Sequence, residues 1–236
     1  MPESGVLGIS SGAAMPIWWR RPIRSGILEA VITNGEHVVS VTQQRVAQHY
    51  TVEQLMREFS REEVLDIWKT LPAPEPEELD GEYAGHVHDG GDLELRKLRN
   101  AFFYDEESDL GSWVGKAYAP KADGMGEGYN SWRRPGGIVN RYLRFATEIG
   151  PSHLDGRPSL IMHYARFDNY SGSMDLIDEI RRLDVGAYLG IYTATEAVPG
   201  FSIIKPGNTR SEPDLFGLTG PIGPWVGVDD PELEAR

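Results

Sequence analysis

The sequence predicts a mainly β fold: an antiparallel β-barrel preceded by two helices and interrupted by one short crossover helix. Three observations carry that expectation. Two segments, Gly81-Glu82-Tyr83-Ala84-Gly85 and Gly111-Ser112-Trp113-Val114-Gly115, set an aromatic midway between glycines, so that in a strand the aromatic and both glycines share one face. Glycine weakens a strand, and its repetition around an aromatic marks a bend or a close backbone approach of the kind a small barrel needs. Short β-rich segments then recur at 141–149, 159–167, 187–193 and 201–205, parted by turn residues such as Asp155-Gly156. Two helix-start signatures lie ahead of all of them.

Taken in order, residues 1–50 form an N-terminal arm and hairpin. Residues 1–16 are small and rich in glycine and serine. Asn34-Gly35 then separates Ile27–Thr33 from Glu36–Val41, and both turn residues tolerate the positive φ that a two-residue hairpin loop demands. Residues 51–205 make the barrel domain with its leading helices. Thr51 with Gln54 and Ser60 with Glu63 are capping boxes, followed by Leu55, Met56 and Phe59, then Val64, Leu65, Ile67 and Trp68, at helical spacing. Leu71-Pro72 stops the second helix. Pro72, Pro74 and Pro76, interspersed with acids, predict a stiff, solvated linker. The glycines between Lys121 and Gly137, with Pro120 and Pro135, predict a long, functional loop. In 141–149, Leu143, Phe145 and Ile149 point one way and Tyr142, Arg144 and Glu148 the other. Leu176, Ile177, Ile180 and Leu183 recur at helical spacing and predict the crossover helix. Residues 206–236 read as a Gly/Pro-rich C-terminal tail that wraps the barrel or covers its mouth.

Composition excludes several functions. The chain of 236 residues is 40% hydrophobic and 25% charged, enough for one large core. A net charge of −13 argues against nucleic acid and against an anionic membrane surface as partners, since both are bound through clustered Lys and Arg. The absence of cysteine removes disulfides, thiolate metal sites and a thiol nucleophile. With Arg20-Arg21 breaking the only N-terminal apolar run, a cytoplasmic location is expected.

The two glycine-flanked aromatics, Tyr83 and Trp113, together with Lys116 in Trp-Val-Gly-Lys, resemble a bacterial lipocalin-like family named for its Gly-x-Trp-x-Gly motif, with Tyr83 standing where the motif has Trp. The resemblance continues through Ser159 to Thr193 and covers about residues 55–195. It implies a lipocalin-like antiparallel barrel around a ligand cavity and names no reaction.

Candidate chemistry follows from which side chains such a wall turns inward. Tyr164, Arg166 and Asp168 would share one face of a strand, with His163 on the other; an Arg held near an Asp suits a carboxylate or carbonyl oxygen, and Tyr or His can pass a proton. The alternative is a rim ion pair and a satisfied core histidine. Tyr83, Trp113, Lys116, Trp132, Tyr142 and Arg144 are candidates to line or gate the ligand site. His86 and His88 would share a strand face and could ligate a metal with a carboxylate as third ligand, but Gly85 to Gly91 also reads as a polar strand end and turn; no metal or other cofactor is expected. No Gly-x-Ser-x-Gly elbow, phosphate loop or dinucleotide fingerprint is present. The expected function is binding of a hydrophobic small molecule, with proton transfer as a cofactor-free lyase, isomerase or cyclase. The alternatives are a non-catalytic carrier, or an assembly subunit contacting its homo-oligomer partner through the N-terminal hairpin or the C-terminal tail.

Overall fold

The computed structural model describes residues 50–90, 93, 94, 97, 101, 103–108, 110–173, 175–195 and 208–228, all within the compact unit Ala47–Arg236. Eight antiparallel strands, β1 Gly81–Val87, β2 Ser112–Pro120, β3 Gly126–Arg133, β4 Val139–Pro151, β5 Pro158–His163, β6 Ile177–Asp184, β7 Ala187–Thr193 and β8 Asp214–Gly223, pair in sequence order, and β8 returns to β1 to close the barrel. Helices α1 Val52–Glu58 and α2 Arg61–Thr70 precede it, and the short α3 Tyr170–Ser173 lies between β5 and β6. The mainly β, lipocalin-like architecture expected from the sequence is thus the observed one. Among the described residues no helix is long and apolar enough to cross a membrane.

Both leading helices begin where their capping boxes stand. Thr51 Oγ1 accepts from Gln54 N at 3.1 Å while Gln54 Oε1 accepts from Thr51 N at 3.0 Å, and Ser60 with Glu63 repeats the exchange, satisfying amides that no preceding turn can. Their apolar faces, Val52, Leu55, Met56, Val64, Leu65 and Trp68, pack on Leu189, Ile191 and Leu215 from the outside of β7 and β8. Arg181, on the outer face of β6, fastens the end of α2. Its guanidinium lies 3.9 Å from the Trp68 ring centroid, donates to the Trp68 and Lys69 carbonyls, and forks onto Asp155 at 2.6 and 2.8 Å. These are carbonyls of the last helical turn, where the regular i+4 donor is missing; the Trp68 carbonyl also accepts from Leu71 N at 3.1 Å.

Residues 71–80 cross the barrel end at which β1 starts. Arg182 N donates to the Pro72 carbonyl at 2.9 Å, Tyr83 Oη to the Glu78 carbonyl at 3.1 Å, and Leu79 is buried in the barrel core. The solvated linker expected here is therefore a strap: Glu75, Glu77 and Asp80 are exposed, but Pro74 and Leu79 are buried. The glycine-aromatic pattern also has a direct cause. A Cβ on Gly115 would sit 1.9 Å from the Tyr83 carbonyl oxygen, so β1 and β2 can approach only over a bare backbone.

Other stretches depart from expectation. The loop expected over 121–137 contains β3; its glycines serve packing, since a Cβ on Gly128 would lie 2.2 Å from the Phe145 ring. In β4 the alternation breaks at Leu143, whose φ is 58°, and the register with β3 slips between Gly128 and Asn130. That bulge turns Tyr142 to the same side as Phe145 and leaves Arg144 outside, instead of pairing Tyr142 with Arg144. The strand expected to 167 ends at His163, and Tyr164–Arg166 form a 3₁₀ turn. The crossover helix is α3; residues 177–183, expected in it, are strand β6. β6 is covered on both sides, by the barrel core at Ile180 and by the Trp68–Arg181 contact outside, and burial of both faces erases the period-2 signature. Residues 206–236 are no mere tail, because β8 within them closes the barrel; the barrel domain does not end at 205. The hairpin at 27–41 and the strand at 201–205 lie outside the described residues.

Candidate functional site

The barrel interior is zoned. At the end sealed by the strap, Tyr83 meets Tyr118 and Tyr188 edge-on, with ring centroids 5.8 and 5.7 Å apart, among Leu79, Leu160, Ile180 and Leu218. Toward the opposite end, four strands and the turn after β5 place a polar layer inside the wall. Lys116 of β2 points across the interior to Asp178 of β6, with Nζ 2.6 Å from Oδ2. Lys116 Nζ also donates to Tyr164 Oη at 2.6 Å and to Asn130 Oδ1 at 2.8 Å. Tyr164 Oη donates to Asp178 Oδ2 at 2.9 Å and accepts from Asn130 Nδ2 at 2.9 Å. Trp113 Nε1 donates to Asn130 Oδ1 at 3.0 Å, and Asn130 Nδ2 reaches the Leu143 carbonyl at 3.3 Å.

This cluster is closed off from solvent: Lys116 and Asp178 are each 3% exposed and Tyr164 1%. The rings of Trp113, Phe145, Tyr164 and Phe216 surround Lys116 Nζ at 5.3 to 5.8 Å, where a cation meets their negative faces. Burial pulls the Lys116 pKa below the ordinary lysine value against the opposing pull of Asp178. Burial pushes the Tyr164 phenol well above its ordinary value, with Asp178 adding to the rise, and Tyr118 follows for the same two reasons. The arrangement is an amine with a weakened hold on its proton, a phenol that is protonated at rest, and a carboxylate touching both.

Of the sequence-predicted residues, Trp113, Lys116 and Tyr164 belong to this layer. Trp132 and Tyr142 stack nearby in the same core, with centroids 6.2 Å apart and planes 12° from parallel. Tyr142 Oη donates to the Leu110 carbonyl, whereas the buried Trp132 Nε1 has no hydrogen-bond partner among the described residues. Tyr83 sits in the tyrosine layer at the sealed end. The remainder do not join them. Arg144 lies outside, bonded to Glu127 at 2.9 Å and over the Phe167 ring. His163 Nε2 pairs with Glu148 Oε1 at 3.0 Å. Arg166 and Asp168 are exposed beyond the end of β5, so they share no strand face with Tyr164. His86 and His88 go to different partners, Thr219 Oγ1 and the Phe59 carbonyl, both at 2.9 Å, and the described residues hold no group of three metal-ligating side chains.

Asp178 and Asn130 were missed by the sequence reading. Asp178 sits two residues before Ile180, an acid on an apolar face, a signal visible only once 177–183 is read as a strand. Asn130 lies in the segment read as a loop.

No family model and no curated protein matches the chain. Among solved structures it is similar to the crystal structure of a protein from Thermomonospora curvata, with 20% identity over 69% of this chain and 88% of that one and a TM-score of 0.43, a likeness too distant to bear on function.

Proposed function

We propose that the barrel binds an apolar small molecule against the Lys116 layer and moves a proton on it, as a cofactor-independent lyase, isomerase or cyclase. The observation that carries this reading is the burial of Lys116, Asp178 and Tyr164 in mutual contact inside an aromatic wall. Burying an ion pair seldom stabilises a fold more than apolar residues of equal volume would, so its presence in the core favours a chemical use. An eight-stranded barrel has room inside for side chains or for one small ligand. Trp132 Nε1, a buried donor without an acceptor among the described residues, supports a ligand that carries an acceptor oxygen. Lys116 and Tyr164 are the proton-transfer pair; Asn130 and Trp113 orient them.

A non-catalytic carrier is the second reading, favoured by one observation: all three Lys116 N–H directions are met by Asn130, Tyr164 and Asp178. Membership of the lipocalin-like Gly-x-Trp-x-Gly family belongs to the proposal, supported by the packing role of Gly115, as do a cytoplasmic location and self-association through the hairpin expected over residues 27–41 or through the C-terminal tail. Native mass spectrometry of the full chain purified from its source tests binding, with a retained small molecule expected for wild type and lost in Lys116→Met. Incubating the liberated molecule with protein in D₂O separates the readings. An enzyme exchanges carbon-bound protons for deuterium and Tyr164→Phe stops it, while a carrier leaves the ligand unlabelled.

A further inference from the structure

We propose that Lys116 is a covalent site: its amine condenses with the carbonyl carbon of an apolar aldehyde or ketone held in the barrel to give a Schiff base. The inference rests on the small-molecule reading above and narrows the ligand to a carbonyl compound.

The geometry supplies each part of the step. Nucleophilic attack needs the free amine, and Asp178 Oδ2, 2.6 Å from Nζ, is placed to take the ammonium proton. A lysine is tuned for this chemistry by desolvation in an apolar pocket, and Lys116 is enclosed by four aromatic rings. Its lowered pKa follows from the same burial. As the C–N bond forms, the carbonyl oxygen takes a proton from Tyr164 Oη, the acid 2.6 Å from Nζ, and a carbinolamine results. The carbinolamine nitrogen returns one proton to the Tyr164 oxygen, the hydroxyl leaves as water with the proton held by Asp178, and C=N forms with one hydrogen kept on nitrogen. Ammonium and carbonyl become protonated imine and water, Tyr164 and Asp178 return to their starting protonation, and no oxidant or reductant is consumed. A carbonyl bound this way becomes an electron sink for proton removal at the neighbouring carbon, consistent with an isomerase or lyase.

Lys116 is one of five lysines in the sequence, and Lys69, Lys97 and Lys121 are exposed, so selectivity is easy to read. The full chain is treated with acetylacetone near neutral pH, where a low-pKa lysine forms an ultraviolet-absorbing enaminone and ordinary surface lysines stay protonated. In parallel, N-phenyl-1-naphthylamine fluorescence reports non-covalent occupation of the barrel. One equivalent of enaminone mapped by peptide mass spectrometry to Lys116 is the expected result. Lys116→Met abolishes it, and Tyr164→Phe, which keeps the amine, slows its formation about 100-fold. Fluorescence enhancement with Lys116 unlabelled overturns the covalent step and leaves the binding function standing. Neither label nor enhancement overturns both.

Discussion

Replacing Lys116 by Met is the perturbation that most directly weighs the buried layer. The four-carbon stem is matched in bulk, so packing against Trp113, Phe145 and Phe216 is largely kept, and what is lost is the charge facing Asp178. Asp178 is 3% exposed and would retain a single neutral donor, Tyr164 Oη at 2.9 Å. Removing one partner of a buried ion pair costs about 3–5 kcal/mol, because the other charge stays uncompensated. For a unit of this size that corresponds to a fall in Tm of about 10 °C. The double variant Lys116→Met, Asp178→Leu removes both charges and is expected to regain most of the loss, since the pair itself contributes little net stability. Urea denaturation followed by tryptophan fluorescence and by far-ultraviolet circular dichroism gives the three stabilities needed for the cycle. A loss below about 1 kcal/mol for the single variant, or a double variant as unstable as the two singles summed, would show that the two charges do not face each other in a dry interior.

Other consequences are checked by similar means. Because the folded pKa of Lys116 is lowered, the unfolded chain binds more protons between that value and the ordinary lysine pKa of about 10.4, so this group's contribution makes stability rise with pH through that window; Lys116→Met removes that slope in stability measured from pH 7 to 10. The tyrosines act oppositely. Tyr118, Tyr164 and Tyr188 are raised by burial and Tyr129 is pushed up to about 12, so their contribution is intact below about pH 10 and is lost as pH climbs toward the folded values; absorbance at the phenolate band should rise cooperatively with unfolding rather than residue by residue. Gly115→Ala should destabilise by about 3 kcal/mol, read as a shift in the urea midpoint, because the new methyl would strike the Tyr83 carbonyl. Arg166→Ala, at an exposed position, should change stability by no more than about 0.5 kcal/mol and leave retained ligand unchanged in native mass spectra.

Strand positions were readable wherever one face of the wall meets the core and the other does not. β1 and β2 declare themselves because Gly115 must be bare where it meets the Tyr83 carbonyl and because Tyr83 and Trp113 face inward, and β7 runs as expected from Ala187 to Thr193. The leading helices were readable through side-chain caps, which are local chemistry. What could not be read is set by distant partners. β6 has Ile180 in the barrel core while Arg181 is buried under Trp68, so its apolar spacing imitates a helix. β3 carries glycines because Phe145 of another strand needs their space, and composition alone makes such a segment look like a loop. The same blindness hid two of the five residues of the polar layer. Lys116, Tyr164 and Trp113 were singled out, but Asn130 and Asp178 sit in the two misread strands, and Arg166 was given to an interior from which the turn after His163 removes it.

On the proposed binding reading, the zoning of the interior favours entry from the end away from the strap. At the end where β1 starts, the strap from Leu71 to Asp80 lays Leu79 into the core over the Tyr83, Tyr118 and Tyr188 rings, and Arg182 ties it down through Pro72 and Glu78. The connections at that end, 121–125, 152–157 and 185–186, are short and offer no residues to spare for a lid. Opposite lie the described parts of the longer β1–β2, β5–β6 and β7–β8 connections, and at that end stands the Trp132–Tyr142 stack, whose indole donor has no hydrogen-bond partner among the described residues. Long connections around a barrel mouth are where binding residues accumulate, since they vary without cost to the wall. On that reading a molecule would meet the Trp132–Tyr142 stack before Lys116. Trp132→Phe therefore separates entry and orientation from chemistry: it removes a buried unsatisfied donor, worth about 1–3 kcal/mol, so stability should hold or rise despite the smaller ring, while retention of a ligand with an acceptor oxygen falls. A variant that loses stability yet retains ligand as wild type does would place the ligand's oxygen elsewhere, and with it the route by which Lys116 is reached.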